Sequence, residues 1–167
     1  MNNNYFYELK YTSSYFIDFY KKLKNIQWES YMGWFAFPLS KKIWIKEKLL
    51  EELNNKFKIK QAGFLKTTPF SCYHWHKDRN RGVCINSLIT TDSKSLSLFG
   101  KYKNNHNSQL DFVELKYEEN KFYLFNNQEY HTVINFDKDR VIFTVEFEKN
   151  KNELKYEDLL KYVKLGL

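Results

Sequence analysis

The stretch EYHTVINFDKDRVIFTVEF, residues 129–147, reads as two short strands joined by the polar turn Asp137-Lys138-Asp139. Successive side chains of a strand point to opposite faces. In the second strand Val141, Phe143, Val145 and Phe147 therefore form an unbroken apolar face, and Arg140, Ile142 and Thr144 share the other. The apolar face is expected to pack on helices, which sends Arg140 into the interior. A buried guanidinium is costly unless it meets a carboxylate, best in a bidentate pair. In the first strand His131 shares a face with Val133 and Asn135.

Upstream, Cys72-Tyr73-His74-Trp75-His76-Lys77-Asp78 reads as another strand. Regular alternation places His76 and Asp78 on one face with Cys72 and His74 behind them, and turns Trp75 away to pack under the helices. A histidine and a carboxylate two apart offer two adjacent ligands to a transition metal. A histidine from a second strand, His131, completes a facial set that leaves the opposite positions open. His74 is either an inward ring beside that metal or a core histidine, and the core is the expectation. Arg79 and Arg81 lie just beyond Asp78, either reaching a substrate at the mouth of the site or sitting in a hydrated turn.

From residue 61 onward, segments around 61–68, 70–78, 82–90, 95–102, 110–117, 122–126, 130–136 and 140–148 are short, β-branched or aromatic, and separated by polar turns. Glu118-Glu119-Asn120-Lys121 is expected to close one hairpin and Asp137-Lys138-Asp139 another. The stretch at 103–108 reads as a loop in which His106 is solvated. Before the strands, Thr12 or Ser13 is placed to cap a helix over SSYFIDFYKKLKN. GWFAFPL reads as a strand ended by Pro38. Ser40 caps one long helix, KKIWIKEKLLEELNNKF, ending near Asn54 and Asn55, and ELKYEDLLKYVKL is a last amphipathic helix. Eight strands after two helices predict a mainly β chain with some α structure, a double-sheet jelly roll with helices packed on one sheet. The 167 residues, with no repeat or linker, are expected to form a single domain over 1–167.

Composition narrows the classes. Hydrophobic residues make up 43% and aromatic residues 19%, which suits a folded, β-rich interior. No stretch is long and apolar enough to span a bilayer, and the N-terminus lacks a secretory pattern, so a cytoplasmic protein with no membrane partner is expected. Cys72 and Cys84 read as reduced, buried small hydrophobes. The net charge of +7 raises nucleic-acid binding. However, only three of the 27 basic residues are arginine, the residue that planar phosphate and base readout prefers, and all three (Arg79, Arg81, Arg140) fall beside the motifs above.

His76-Lys77-Asp78, then "YHTVIN" with His131, then "DRVIFTV" with Arg140, resembles the 2-oxoglutarate/Fe(II)-dependent oxygenase superfamily. The likeness is nearest to its small prolyl- and aspartyl-hydroxylase-like members of bacteria and phages. Tyr73, three before His76, and "DRNRGVCINSLI" after it strengthen the likeness, which covers roughly residues 70 to 148. Arg140 stands where prolyl-4-hydroxylases usually carry lysine, which favours the aspartyl-hydroxylase-like or phage-type branch.

The resemblance implies a double-stranded β-helix (cupin-like) fold. It further implies Fe(II) held by His76, Asp78 and His131, with 2-oxoglutarate as co-substrate paired to Arg140. Tyr73 would hydrogen-bond the co-substrate, and Asn86 would orient it or a metal ligand. O2 is the second co-substrate and ascorbate an accessory reductant. The implied reaction is hydroxylation of a C–H bond in a protein or peptide residue, or in a small molecule, with release of succinate and CO2. A non-catalytic, cupin-like metal- or ligand-binding module and a basic nucleic-acid-binding protein remain as alternatives on the sequence. Arg140 argues against the first, since a plain binding module has no need of a buried dicarboxylate clamp.

Overall fold

The computed structural model describes residues 4–102 and 110–166. Two antiparallel sheets face each other. The larger contains seven strands in the order β1 (Phe6–Thr12), β9 (Lys121–Asn126), β6 (Val83–Leu88), β11 (Arg140–Phe147), β4 (Ile59–Thr67), β3 (Trp34–Leu39), β2 (Glu29–Tyr31). The smaller contains four, in the order β5 (Ser71–His76), β10 (Tyr130–Asn135), β7 (Ser95–Tyr102), β8 (Leu110–Glu114). The helices are α1 (Tyr15–Lys22), α2 (Lys41–Trp44), α3 (Lys48–Phe57) and α4 (Tyr156–Lys164). None of them is long and apolar enough to cross a membrane. This is the jelly-roll architecture expected from the sequence, with all eight strands of the 61–148 region present.

The main core lies between the helices and the outer face of the larger sheet. Val141, Phe143, Val145 and Phe147 of β11 join Ile85 of β6, Leu124 of β9 and Phe16 of α1 there. Phe16 stacks on Phe143 with ring centroids 3.6 Å apart. A smaller cluster of Cys84, Phe99, Leu115, Tyr123 and Phe125 fills one part of the space between the sheets. Because helices cover only one face, the inter-sheet space takes the alternate residues of β11, Arg140 among them, as alternation demanded.

Several sequence expectations change. Both supposed hairpin turns are connections between sheets: Glu118–Lys121 leads from β8 to β9 and Asp137–Asp139 from β10 to β11, and in each case the flanking strands belong to different sheets. The turn chemistry was real, as the positive φ of Asn120 shows, but sequence adjacency does not imply pairing. Pro38 does not end β3, which continues to Leu39. β2 pairs only with Trp34–Ala36, so no strand on that side needs an N–H from residue 38.

The long helix is broken into α2 and α3. Buried Glu47 sits at the break and accepts hydrogen bonds from Tyr11 and from Ser13 Oγ (2.7 Å). The N-cap position of α1 is Ser14 rather than Thr12 or Ser13, and α3 runs on to Phe57. Strand β1 and the short β2 escaped notice, and Cys72 is exposed on an edge strand while Cys84 is buried as expected. The expected 103–108 loop, with His106, lies outside the described residues.

Candidate metal and co-substrate site

The edge strand β5 is not regular. His76 is opposite His131 and Tyr73 is opposite Val133, so three residue steps on β5 match two on β10. This bulge changes which side chains share a face. Tyr73 and His76 both turn into the cleft between the sheets. His74 is exposed, neither beside the site nor in the core, and its backbone carbonyl is what serves the site. Trp75 is 36% exposed on the smaller sheet and does not pack under helices, because the helices lie on the other sheet.

Side chains of His76, Asp78 and His131 each offer one ligand atom, all within 4.8 Å of one another, a group able to hold a metal ion. His76 Nε2 is 3.4 Å from Asp78 Oδ1, and His131 Nε2 is 3.6 Å from the same oxygen. Each ring's Nδ1 faces a backbone carbonyl, of His74 at 2.7 Å and of Glu129 at 2.9 Å. A carbonyl can only accept, so Nδ1 carries the hydrogen in both rings and Nε2 keeps its lone pair for a metal. Burial pushes the His131 pKa down to about 4, so this ring is neutral at ordinary pH. Phe125 and Phe99 wall it, with ring centroids at 4.9 and 5.9 Å.

Asp78 is held by a set of contacts that the sequence did not announce. Arg81 Nε donates to Asp78 Oδ2 at 2.6 Å and Asn127 Nδ2 donates to the same oxygen at 2.8 Å. The Asp78 backbone N–H donates to the Asn127 carbonyl at 2.9 Å. Gln128 Nε2 ties the loop together by donating to the carbonyls of Asp78 (2.9 Å) and Arg81 (2.7 Å). Burial alone would raise the carboxyl's pKa. The His76 hydrogen bond and the Arg81 guanidinium outweigh it, and the net shift is below the usual carboxylate value. With Oδ2 occupied by two donors, Oδ1 is the oxygen presented to the histidines. Arg81 is thereby a partner of Asp78 rather than part of a hydrated turn. Arg79 is exposed at the mouth.

The cleft has a volume of about 570 Å³ and runs from these three residues to Arg140. Arg140 is 1% exposed, its Nη2 donates to Ser97 Oγ at 2.9 Å, and its guanidinium carbon lies 5.6 Å from the Tyr117 ring centroid. Among the described residues its Nε and Nη1 have no hydrogen-bond partner. Burial lowers its pKa, which the Tyr117 hydroxyl only partly offsets. Tyr73, Asn86 and Thr144 line the same cleft, and Asn86 is 5% exposed. Ser97, Tyr117, Asn127 and Gln128 were missed from sequence; the polar run Asn126-Asn127-Gln128 directly after an apolar strand was the one available signal.

The donor set suits a first-row divalent metal of the iron type: two imidazoles and one carboxylate on one side, with the remaining positions facing an open cleft. The unsatisfied N–H groups of Arg140 at the base of that cleft fit a dicarboxylate whose far carboxylate would pair with them.

Solved structures with this arrangement of sheets share it over most of their length. A Pseudomonas putida prolyl-4-hydroxylase superposes with a TM-score of 0.60 over 88% of this chain and 94% of that one, at 11% identity. The fold is that of the 2-oxoglutarate/Fe(II) oxygenases. HygX from Streptomyces hygroscopicus, solved with nickel and 2-oxoglutarate, matches with a TM-score of 0.59 over 87% and 83% of the two chains at 10% identity. A Trichoplax adhaerens prolyl hydroxylase in complex with a hypoxia inducible factor peptide matches with a TM-score of 0.55 over 87% and 84% at 14% identity. No protein-family profile matches the chain, and no curated protein matches it in sequence.

Proposed function

We propose that this protein is an Fe(II)- and 2-oxoglutarate-dependent dioxygenase that hydroxylates a C–H bond of a protein or peptide residue, or of a small molecule, with release of succinate and CO2. The observation that carries the reading is the pairing, within one cleft, of the His76–Asp78–His131 group with the two unpartnered N–H groups of Arg140. The two halves explain each other. A metal-binding module needs no buried cation, and a buried arginine without a carboxylate is destabilising unless a ligand brings one.

His76 and His131 would hold iron through Nε2 and Asp78 through Oδ1. Iron, when bound, supplies the site at which O2 is reduced against the keto acid. Arg81 and Asn127 hold Oδ2, so that Asp78 would offer a metal a single oxygen. Arg140, held by Ser97, would pair with the far carboxylate of 2-oxoglutarate, and burial would strengthen that ion pair and keep bulk water from it. Tyr73, edge-on to His76 with ring centroids 4.6 Å apart, lines the same cleft, where it would contact the co-substrate. Likeness to structures solved with 2-oxoglutarate or a peptide bound supports the reading at the level of fold.

The test is calorimetric titration of 2-oxoglutarate into protein loaded with Mn(II), which binds such sites without turnover. Binding is expected for the wild type, loss of it without metal, and loss of it in Arg140→Ala. Binding of equal strength with and without metal would contradict the reading.

A further inference from the structure

The charges that line the cleft do not balance, and the imbalance is concentrated at its mouth. Among the described residues five cations line it, Lys60, Lys77, Arg79, Arg81 and Arg140, against two carboxylates, Asp78 and Glu146. Asp78 is committed to Arg81 and to the two histidines. Glu146 is committed to Lys60 at 2.8 Å and to Gln61 at 2.7 Å. Arg140 lies at the base, where the co-substrate's carboxylate would answer it. A divalent metal and a dicarboxylate cancel each other, so loading the site does not change the sum.

Lys77 and Arg79 are left over. They flank Asp78 and lie on the rim that a substrate must cross to reach His76. Lys77 Nζ rests 5.0 Å from the Tyr130 ring centroid. Arg79 is exposed, and its side chain makes no hydrogen bond or ion pair among the described residues. Across the mouth stands the β2–β3 hairpin. Its tight turn has positive φ at both Met32 (47°) and Gly33 (83°), and it brings Tyr31 and Met32 to the rim, 41% and 75% exposed. A Cβ on Gly33 would lie 3.3 Å from Tyr73, so the hairpin tip leans directly on the residue beside His76. The mouth is thus cationic on one side and apolar on the other. A cleft of one charge sign concentrates ligands of the opposite sign.

From this we infer that the substrate carries a carboxylate close to the oxidised carbon and that Lys77 and Arg79 recognise it; the inference rests on the oxygenase reading above. The carboxylate belongs either to an acidic side chain of a peptide or to a free organic acid. Among the described residues β5 has no partner strand along one edge beside His76, which offers an extended peptide a place to lie.

The experiment is fluorescence anisotropy with wild-type protein holding Mn(II) and 2-oxoglutarate, using a short labelled peptide rich in aspartate and its asparagine counterpart. The aspartate peptide is expected to bind on the order of tenfold more tightly at low salt. That preference is expected to vanish in the double variant Lys77→Glu/Arg79→Glu and to persist in Lys77→Arg/Arg79→Lys. It is also expected to persist in Lys42→Glu, a change of charge on exposed α2 away from the cleft. Displacement by N-acetylaspartate assigns the recognition to a free acid, and resistance to it assigns it to a peptide.

Equal affinity for the two peptides overturns the inference, as does a preference that survives charge reversal. Tighter binding of oligothymidylate than of the aspartate peptide overturns it in favour of phosphate recognition. The oxygenase reading fails separately, by absence of metal-dependent 2-oxoglutarate binding, and the peptide preference is read in either case.

Discussion

Arg81 Nε lies 2.6 Å from Asp78 Oδ2, while Asp78 Oδ1 is the oxygen near His76 Nε2 and His131 Nε2. The two oxygens of one carboxylate are thereby given different partners, one set by the protein and the other left for a metal. Arg81→Ala leaves Oδ2 to Asn127 Nδ2 alone and loosens the orientation of the carboxylate. The expected result is a loss of metal affinity of about 10–100-fold, measured by Mn(II) titration, with Arg81→Lys intermediate. An unchanged affinity would reduce Arg81 to a packing residue.

Arg140 invites a stability measurement. Its Nε and Nη1 are buried without hydrogen-bond partners among the described residues. Arg140→Met is therefore expected to leave the melting temperature unchanged or raise it in the absence of 2-oxoglutarate, since replacing a poorly compensated buried charge by a hydrophobe of similar size is neutral or stabilising by about 1–4 kcal/mol. The same variant is expected to lose the rise in melting temperature that 2-oxoglutarate gives the metal-loaded wild type. Thermal scans with and without ligand decide both points.

The bulge in β5 makes a sharp distinction between two neighbouring histidines. His76→Ala should abolish metal binding. His74→Ala should leave it within about twofold, because only the His74 backbone carbonyl contacts the site. Comparable losses in both variants would mean that the strand is regular and the bulge absent in solution.

Tyr11, hydrogen-bonded to buried Glu47, has its pKa raised to about 12 by burial and by the Glu47 carboxylate. A folded-state pKa above the unfolded value of about 10 contributes stability that is complete below pH 10 and is lost as pH rises through the folded value. The stability difference between wild type and Tyr11→Phe is thus expected to shrink between pH 10 and about 12. Denaturant midpoints across that range test it, and a constant difference would contradict the coupling.

The alternation of apolar and polar residues in 140–147 was enough to place Arg140 inside and the Val/Phe face against helices, because β11 is a central, regular strand with both faces buried. The same logic misplaced His74 and Trp75, since β5 is an edge strand with a bulge, and alternation holds only while the pleat is unbroken. Asn127 and Gln128 were illegible for another reason. Their partner is Asp78 across a loop contact between β5 and the turn after β9, and nothing in a local pattern announces a contact made only by the fold. The break at Glu47 is of the same kind: the sequence reads as continuous helix until Tyr11 and Ser13, far upstream, claim its carboxylate.

The central claim is tested most directly by incubating purified protein with Fe(II), ascorbate and 2-oxoglutarate in air and measuring succinate, beside the same reaction with His131→Ala. Succinate from the wild type, at whatever slow rate turnover without substrate allows, and none from the variant is the predicted result. Equal amounts from both, or none from the wild type even when carboxylate-bearing peptides are supplied, would contradict it.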